Sequence, residues 1–262
     1  MQKIITLFLF LTLIAEGMAQ SNSLYEKKEF IKGNDTLRYR ILYPANYQQG
    51  KKYPLILLLH GAGERGSDNE LQLVWGASLF TDSIVRTKFP AIVVFPQCPQ
   101  NDFWARINKS ESKDSLGGFF YNSSLPVGSS LHLVMQLMDY MAASGTVNTK
   151  KIYVGGLSMG GMGTFELLWR KPNFFAAAFP ICGGGDPLKI TEYGKKFPLW
   201  IFHGDADPVV PVSNSRVMVN ALKAGGSKPK YSEYKGVQHD SWKNAFAEPG
   251  LLKWLFAQKK GK

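Results

Sequence analysis

The stretch Lys151-Ile-Tyr-Val-Gly-Gly-Leu-Ser158-Met-Gly-Gly-Met-Gly163 passes from an apolar, β-branched run through a glycine-flanked serine into a segment of helical spacing. A strand that turns straight into a helix forces the residue at the bend into a strained backbone conformation and lifts its side chain clear of the sheet. Residues two positions to either side then stand against strand and helix and have no room for a Cβ. Gly156 and Gly160 meet that demand. The helix opening behind Ser158 aims unpaired N–H groups and its positive dipole end at the serine oxygen. A bare Gly-x-Ser-x-Gly arises by chance in a chain with 26 glycines, and a structural turn is the plain alternative. Its place between strand and helix makes it informative.

Working outward, continuous apolar runs recur at 55–59, 91–95, 152–154, 176–179 and 199–202. Runs without alternation fit strands buried on both faces of a parallel sheet. Between them Leu131, Val134, Met135, Met138 and Met141 repeat at three- and four-residue steps, as do Phe165, Leu168 and Trp169; 217–222 and 251–256 behave likewise. Alternation at 29–31 and 37–42 around Gly33-Asn34-Asp35 predicts an antiparallel hairpin. The order implies an α/β fold: a mostly parallel central sheet with an antiparallel N-terminal hairpin and helices on both faces. Of the 262 residues 45% are apolar and 19% charged, which excludes global disorder. No repeat or linker divides residues 20–262, which are expected to form one domain. The polar stretch 97–128, with Phe103-Trp104 isolated in it, reads as a long excursion over the sheet edge.

A serine alcohol is a poor nucleophile until a base removes its proton. The chain has four histidines. His132 falls on the amphipathic 131–141 segment; His60 and His203 each close an apolar strand before a glycine, where an imidazole braces a loop. His239 sits in the polar turn Gly236-Val-Gln-His239-Asp-Ser-Trp242, after the strand-like 230–234. A general base needs some exposure and mobility, so His239 is the expected base and His60 its rival. In His203-Gly-Asp205-Ala-Asp207-Pro208, Asp207 is the expected orienting acid. Asp205 is expected to tie down its own turn, and Asp186 is a more distant candidate. Acyl transfer also needs donors for the oxygen that gains charge. The expected pair is the backbone N–H of Met159 and that of Ala62, from His60-Gly-Ala-Gly-Glu-Arg-Gly66, with Gly63 next. Trp104, Phe103 and Trp75 are candidates to line the substrate cleft, with core packing as the alternative.

Five stretches together carry a family resemblance: Leu57-Leu-Leu-His-Gly-Ala-Gly-Glu-Arg-Gly66, Phe95-Pro-Gln-Cys-Pro99 with Trp104, Gly156-Leu-Ser-Met-Gly-Gly161, His203-Gly-Asp-Ala-Asp-Pro-Val-Val210 and Gly236-Val-Gln-His-Asp-Ser-Trp242. The chain beyond residue 19 resembles the α/β-hydrolase superfamily, in particular its secreted carboxylesterase and predicted-peptidase branch, related to phospholipase/carboxylesterases and to feruloyl and acetylxylan esterases. The resemblance implies a serine esterase working through an acyl-enzyme, with no metal or organic cofactor. The expected substrate is a small-molecule or polysaccharide-linked ester carrying a short acyl, acetyl or feruloyl group. The chain shows no apolar lid segment, which disfavours long-chain lipids. A serine peptidase of the prolyl-oligopeptidase type would use the same residues on short peptides, and a hydrolase-shaped binding module without catalysis is a third reading.

Met1-Gln-Lys3, an apolar run over 4–15 and small residues at Gly17 and Ala19 have the layout of a secretory signal peptide cleaved after Ala19. A spanning helix needs ~20 apolar residues, so stable membrane insertion is not expected. Export would permit Cys98 and Cys182 to pair, though nothing in the sequence brings them together, and two free thiols is the other reading. Lys and Arg number 31 against 20 acids, a net +11. Residues 222–262 hold nine Lys against Glu233, Asp240 and Glu248. That excess reads as a solvated basic tail or an affinity for anionic surfaces. The basic residues are not interleaved with stacking aromatics in any nucleic-acid motif, so nucleic acid is not an expected partner.

Overall fold

The structure, a computed structural model, describes residues 22–109, 116–193 and 197–261; the expected signal peptide over 1–19 lies outside the described residues. In chain order the strands are β1 (Glu26–Lys32), β2 (Asp35–Leu42), β3 (Tyr53–Leu59), β4 (Ile92–Pro96), β5 (Ile107–Lys109), β6 (Phe119–Tyr121), β7 (Val147–Leu157), β8 (Ala177–Ile181), β9 (Trp200–Gly204) and β10 (Lys230–Tyr234). The helices are α1 (Ala77–Thr81), α2 (Ser83–Lys88), α3 (Ser129–Ala143), α4 (Met159–Arg170), α5 (Ser213–Ala224), α6 (Trp242–Phe246) and α7 (Leu251–Ala257).

Eight strands form one sheet in the order β1-β2-β4-β3-β7-β8-β9-β10. The β1–β2 hairpin turns at Gly33, whose φ of +60° is costly for a side-chain-bearing residue, and pairs Lys32 with Asp35. β2 then joins β4 antiparallel, and every later pairing is parallel. The edge strand β1 carries Lys27, Lys28 and Lys32, charges that discourage a second chain from adding to it.

The apolar runs divide by residue parity between the faces. Leu55, Leu57, Leu59, Ile92, Val94, Ile152 and Val154 pack with α3, α4 and α5. Ile56, Leu58, Val93, Phe95, Tyr153, Phe179 and Phe202 pack on the other face with α1, α6 and α7. This two-sided burial is the reason the strands lack polar alternation. The expected fold is thus observed, with longer elements and several additions. The short helices α1, α2 and α6, and the β5–β6 ribbon inside the excursion, carry too few residues to show a period. The loops after β3, β7, β9 and β10 all leave the carboxyl end of the parallel sheet, where open α/β sheets place their clefts.

Candidate active site

Ser158 sits between β7 and α4 with φ +53° and ψ −116°, a left-handed backbone that a non-glycine residue holds only under constraint. The glycines around it are sterically required. A Cβ on Gly160 would stand 2.0 Å from the Leu59 carbonyl oxygen, and one on Gly156 would stand 2.3 Å from that of Gly160. The elbow is therefore pressed onto the end of β3, with no space for any larger residue.

Three loops meet there. His239 Nε2 lies 3.0 Å from Ser158 Oγ, and His239 Nδ1 lies 2.7 Å from Asp207 Oδ2. The Asp207 carboxylate is excluded from solvent, while the imidazole keeps 20% of its side-chain surface exposed. Burial alone would push the Asp207 carboxyl up. Bonds from His203 and His239, and from the N–H groups of Val210 and Val209, overcome that and hold it well below the usual carboxylate range. It is a charged acceptor at any ordinary pH.

The rival residues lie elsewhere. His60 is buried, its Nδ1 2.6 Å from Gly61 O and its Nε2 accepting the Cys98 N–H at 2.9 Å; burial pulls its pKa down to about 4. It braces two loops and faces no hydroxyl. His132 is exposed and bonds Gln136. Asp186 caps the turn at Leu188. Asp205 differs from the expectation: it accepts the N–H of Gly236 at 2.6 Å, 31 residues away, and so ties the Asp207 loop to the His239 loop. Gly204 allows that closeness, since its Cβ would fall 2.2 Å from Val237 O.

Met159 opens α4 directly after Ser158, and the 60–63 loop lies against the elbow. A Cβ on Gly61 would touch Leu157 Cδ1 at 2.9 Å. Arg65 donates from Nε to the Ala62 carbonyl at 3.0 Å and from Nη1 to Gln100 O at 3.0 Å, fixing the Ala62–Gly63 peptide. The sequence reading gave Arg65 no role; a guanidinium three residues past a loop peptide was the available signal.

The aromatic candidates separate. Trp104 is fully buried, which corrects its assignment to a cleft: its indole N–H donates to His60 O, and its Cβ lies beneath Gly163 of α4. Phe103 is 45% exposed, with the Arg65 guanidinium 4.4 Å above its ring. Trp75 is half-buried and 5.6 Å from Trp242, whose ring in turn stands edge-on to His239 at 5.3 Å. Glu64 also borders this side; burial raises its pKa and His239 lies within electrostatic range.

Cys98 and Cys182 are both free and buried. Cys182 Sγ, the Asp207 carboxylate and an imidazole nitrogen of His239 lie within 4.8 Å of one another. Both His239 nitrogens and both Asp207 oxygens already have hydrogen-bond partners, and burial pushes the Cys182 thiol up. The group fits a hydrogen-bonded triad with a thiol beneath it better than a set of metal ligands.

A model of the phospholipase/carboxylesterase family matches residues 46–248. The chain belongs to that family. Among solved structures, this phospholipase/carboxylesterase-family chain is similar to a thermostable esterase, with 34% identity, a TM-score of 0.81, and 92% of this chain and 64% of that one covered. It is 25% identical over 251 residues to a secreted protein of Arthroderma benhamiae, covering 83% of this chain and 24% of the other. It is 32% identical over 77 residues to a bifunctional acetylxylan esterase/xylanase of Neocallimastix patriciarum, covering 29% of this chain and 11% of the other. The chain thus spans a quarter or less of these two relatives and under two thirds of the esterase. Among the described residues no helix is long and apolar enough to cross a membrane.

Proposed function

We propose that this protein is an exported serine hydrolase of carboxylic esters in which Ser158 is the nucleophile, His239 the base and Asp207 the orienting acid. The observation that carries the reading is the unbroken chain of hydrogen bonds from Ser158 Oγ through both His239 nitrogens to Asp207 Oδ2, at 3.0 and 2.7 Å. His239 takes the serine proton as Ser158 Oγ bonds to the ester carbonyl carbon. The N–H groups of Met159 and Ala62 hold the resulting oxyanion, and the imidazolium returns the proton to the departing alcohol. Water then repeats the sequence on the acyl-enzyme. Residues 1–19 serve as the signal peptide, and residues 20–262 fold as a single catalytic domain.

The substrate we favour is a short acyl, acetyl or feruloyl ester on a polysaccharide, supported by the likeness to an acetylxylan esterase/xylanase. Trp75 and Trp242, beside His239, would wall the alcohol half of the ester, where flat rings suit a sugar face. The test compares p-nitrophenyl acetate, methyl ferulate, acetylated xylan and a prolyl anilide, each with the unaltered protein and with Ser158→Ala. Ester turnover that is lost in Ser158→Ala is expected. Turnover confined to the anilide would favour a peptidase. Failure of a fluorophosphonate to label Ser158, with no turnover at all, would leave a non-catalytic binding module.

A further inference from the structure

Asp207 Oδ2 has two imidazoles on it. His239 Nδ1 lies at 2.7 Å, and His203 Nε2 at 3.3 Å, with the Val210 carbonyl 2.9 Å from that same His203 nitrogen. Both neighbours of His203 Nε2, a carbonyl and a carboxylate, only accept, so Nε2 carries a proton and donates to the pair of them. On the opposite side Nδ1 lies 2.7 Å from Ser215 Oγ, which stands 2.9 Å from Gly183 O just past the end of β8. His203 and Ser215 are both at 0% exposure, so no water competes for these bonds. The ring is held at both nitrogens, and the charged group its Nε2 meets is the Asp207 carboxylate.

We infer that His203 is a positioning residue for the acyl-transfer reaction: its Nε2–H fixes Asp207 Oδ2 where that oxygen receives the Nδ1–H of His239. The inference rests on the reading of Ser158, His239 and Asp207 given above. Val209 and Val210 donate to Oδ1, while Oδ2 is held by the two histidines. Without the His203 proton, Oδ2 has His239 as its remaining donor. The carboxylate then becomes the stronger partner of an imidazolium, and its rotation is less restrained. Two consequences follow. Turnover falls because the base is misoriented, and the acid limb of kcat/KM moves to higher pH because His239 holds its proton more tightly. The charged groups facing His239 are Asp207, Glu64 and Asp240. Those facing His203 are Asp207 and its register partner on β10, Glu233. All of them are common to the variants below, so a moved limb reports the lost bond.

The experiment uses two amides that each keep one half of the imidazole. In His203→Gln the amide nitrogen reaches the position of Nε2; in His203→Asn it reaches that of Nδ1. Each is assayed on p-nitrophenyl acetate for kcat, KM and pH profile, normalised to the active fraction titrated by a fluorophosphonate, with Tm alongside. His203→Gln is expected to keep kcat within about threefold of the parent with its acid limb in place. His203→Asn is expected to lose about tenfold or more in kcat at nearly unchanged KM, with the limb moved to higher pH. If His203→Asn matches the parent per active site, or both variants lose only Tm and active fraction, the ring is a core brace and the inference is overturned. Nitrogen-15 NMR of the histidine rings in the unaltered protein adds a test that needs no variant to fold: an unprotonated His203 Nε2 at neutral pH would also overturn it. Ser158→Ala separates the two levels. If it retains turnover, the reading of the reaction fails; if it loses turnover while His203→Asn is kinetically silent, only the role of His203 fails.

Discussion

His60 and His203 stand in matching places. Each lies at the carboxyl end of an inner parallel strand, each precedes a glycine, and their exposures are 2% and 0%. Their rings nevertheless hold different things. His60 joins two stretches of backbone, Gly61 O and Cys98 N–H, and so shapes the loop that carries Ala62. His203 touches a carboxylate. The pair teaches that His-Gly at a strand end specifies a buried brace, while the loop packed against the ring decides what is braced. Beside β3 that loop is the 97–100 segment after β4; beside β9 it is the chain's own 205–210 turn.

The largest effect expected from breaking this comparison is at Asp207, the proposed orienting acid. Asp207→Asn keeps the shape but removes the charge both histidines address, and turnover per folded chain should fall about 10³–10⁴-fold. His60→Leu should act on stability instead. It leaves the Cys98 N–H without its acceptor, a loss of about 1–3 kcal/mol measurable by urea unfolding, while turnover per titrated site falls less than about tenfold. Equal losses of turnover in the two variants would erase the distinction between brace and machinery.

The pH dependence of stability sharpens the same point. The folded protein holds His60 neutral down to about 4, against 6.5 for a free imidazole. Between those values the unfolded chain binds a proton the folded one refuses, so stability is full above pH 6.5 and falls on acidification, by up to about 3 kcal/mol. Urea midpoints at pH 7 and 4.5 should converge between parent and His60→Leu as the pH drops. A constant gap would contradict the neutral, buried ring. The smallest effect expected is at Arg65→Met, which keeps contact with Phe103 but releases Ala62 O; kcat should drop about two- to fivefold with Tm nearly unchanged.

The elbow was legible in the sequence because its requirement is steric: at Gly160 a single added carbon has 2.0 Å to the nearest oxygen. Ser158, His239 and Asp207 were each nominated on local grounds, and the structure brings the three within hydrogen-bond reach of one another. Their meeting follows from a parallel sheet, which delivers all its carboxyl ends to one edge. What escaped is set by distant contacts. Trp104 lies in a polar stretch that leaves cleft lining and core packing both open, and the chain folds back and buries it under α4. Asp205 was expected to cap its own turn and instead reaches Gly236. Among the described residues α1 and α6 have five residues each and α2 six, too short for a periodic signature.

The central proposition is that a covalent ester forms at Ser158 Oγ with His239 and Asp207 handling its proton. Rapid mixing with p-nitrophenyl acetate, quenching in acid and peptide mass analysis addresses it directly. The account predicts a burst of about one p-nitrophenol per chain and an acetyl group on the peptide containing Ser158, both absent in Ser158→Ala. Steady turnover with the acetyl group on another residue, or undiminished in Ser158→Ala, would contradict it.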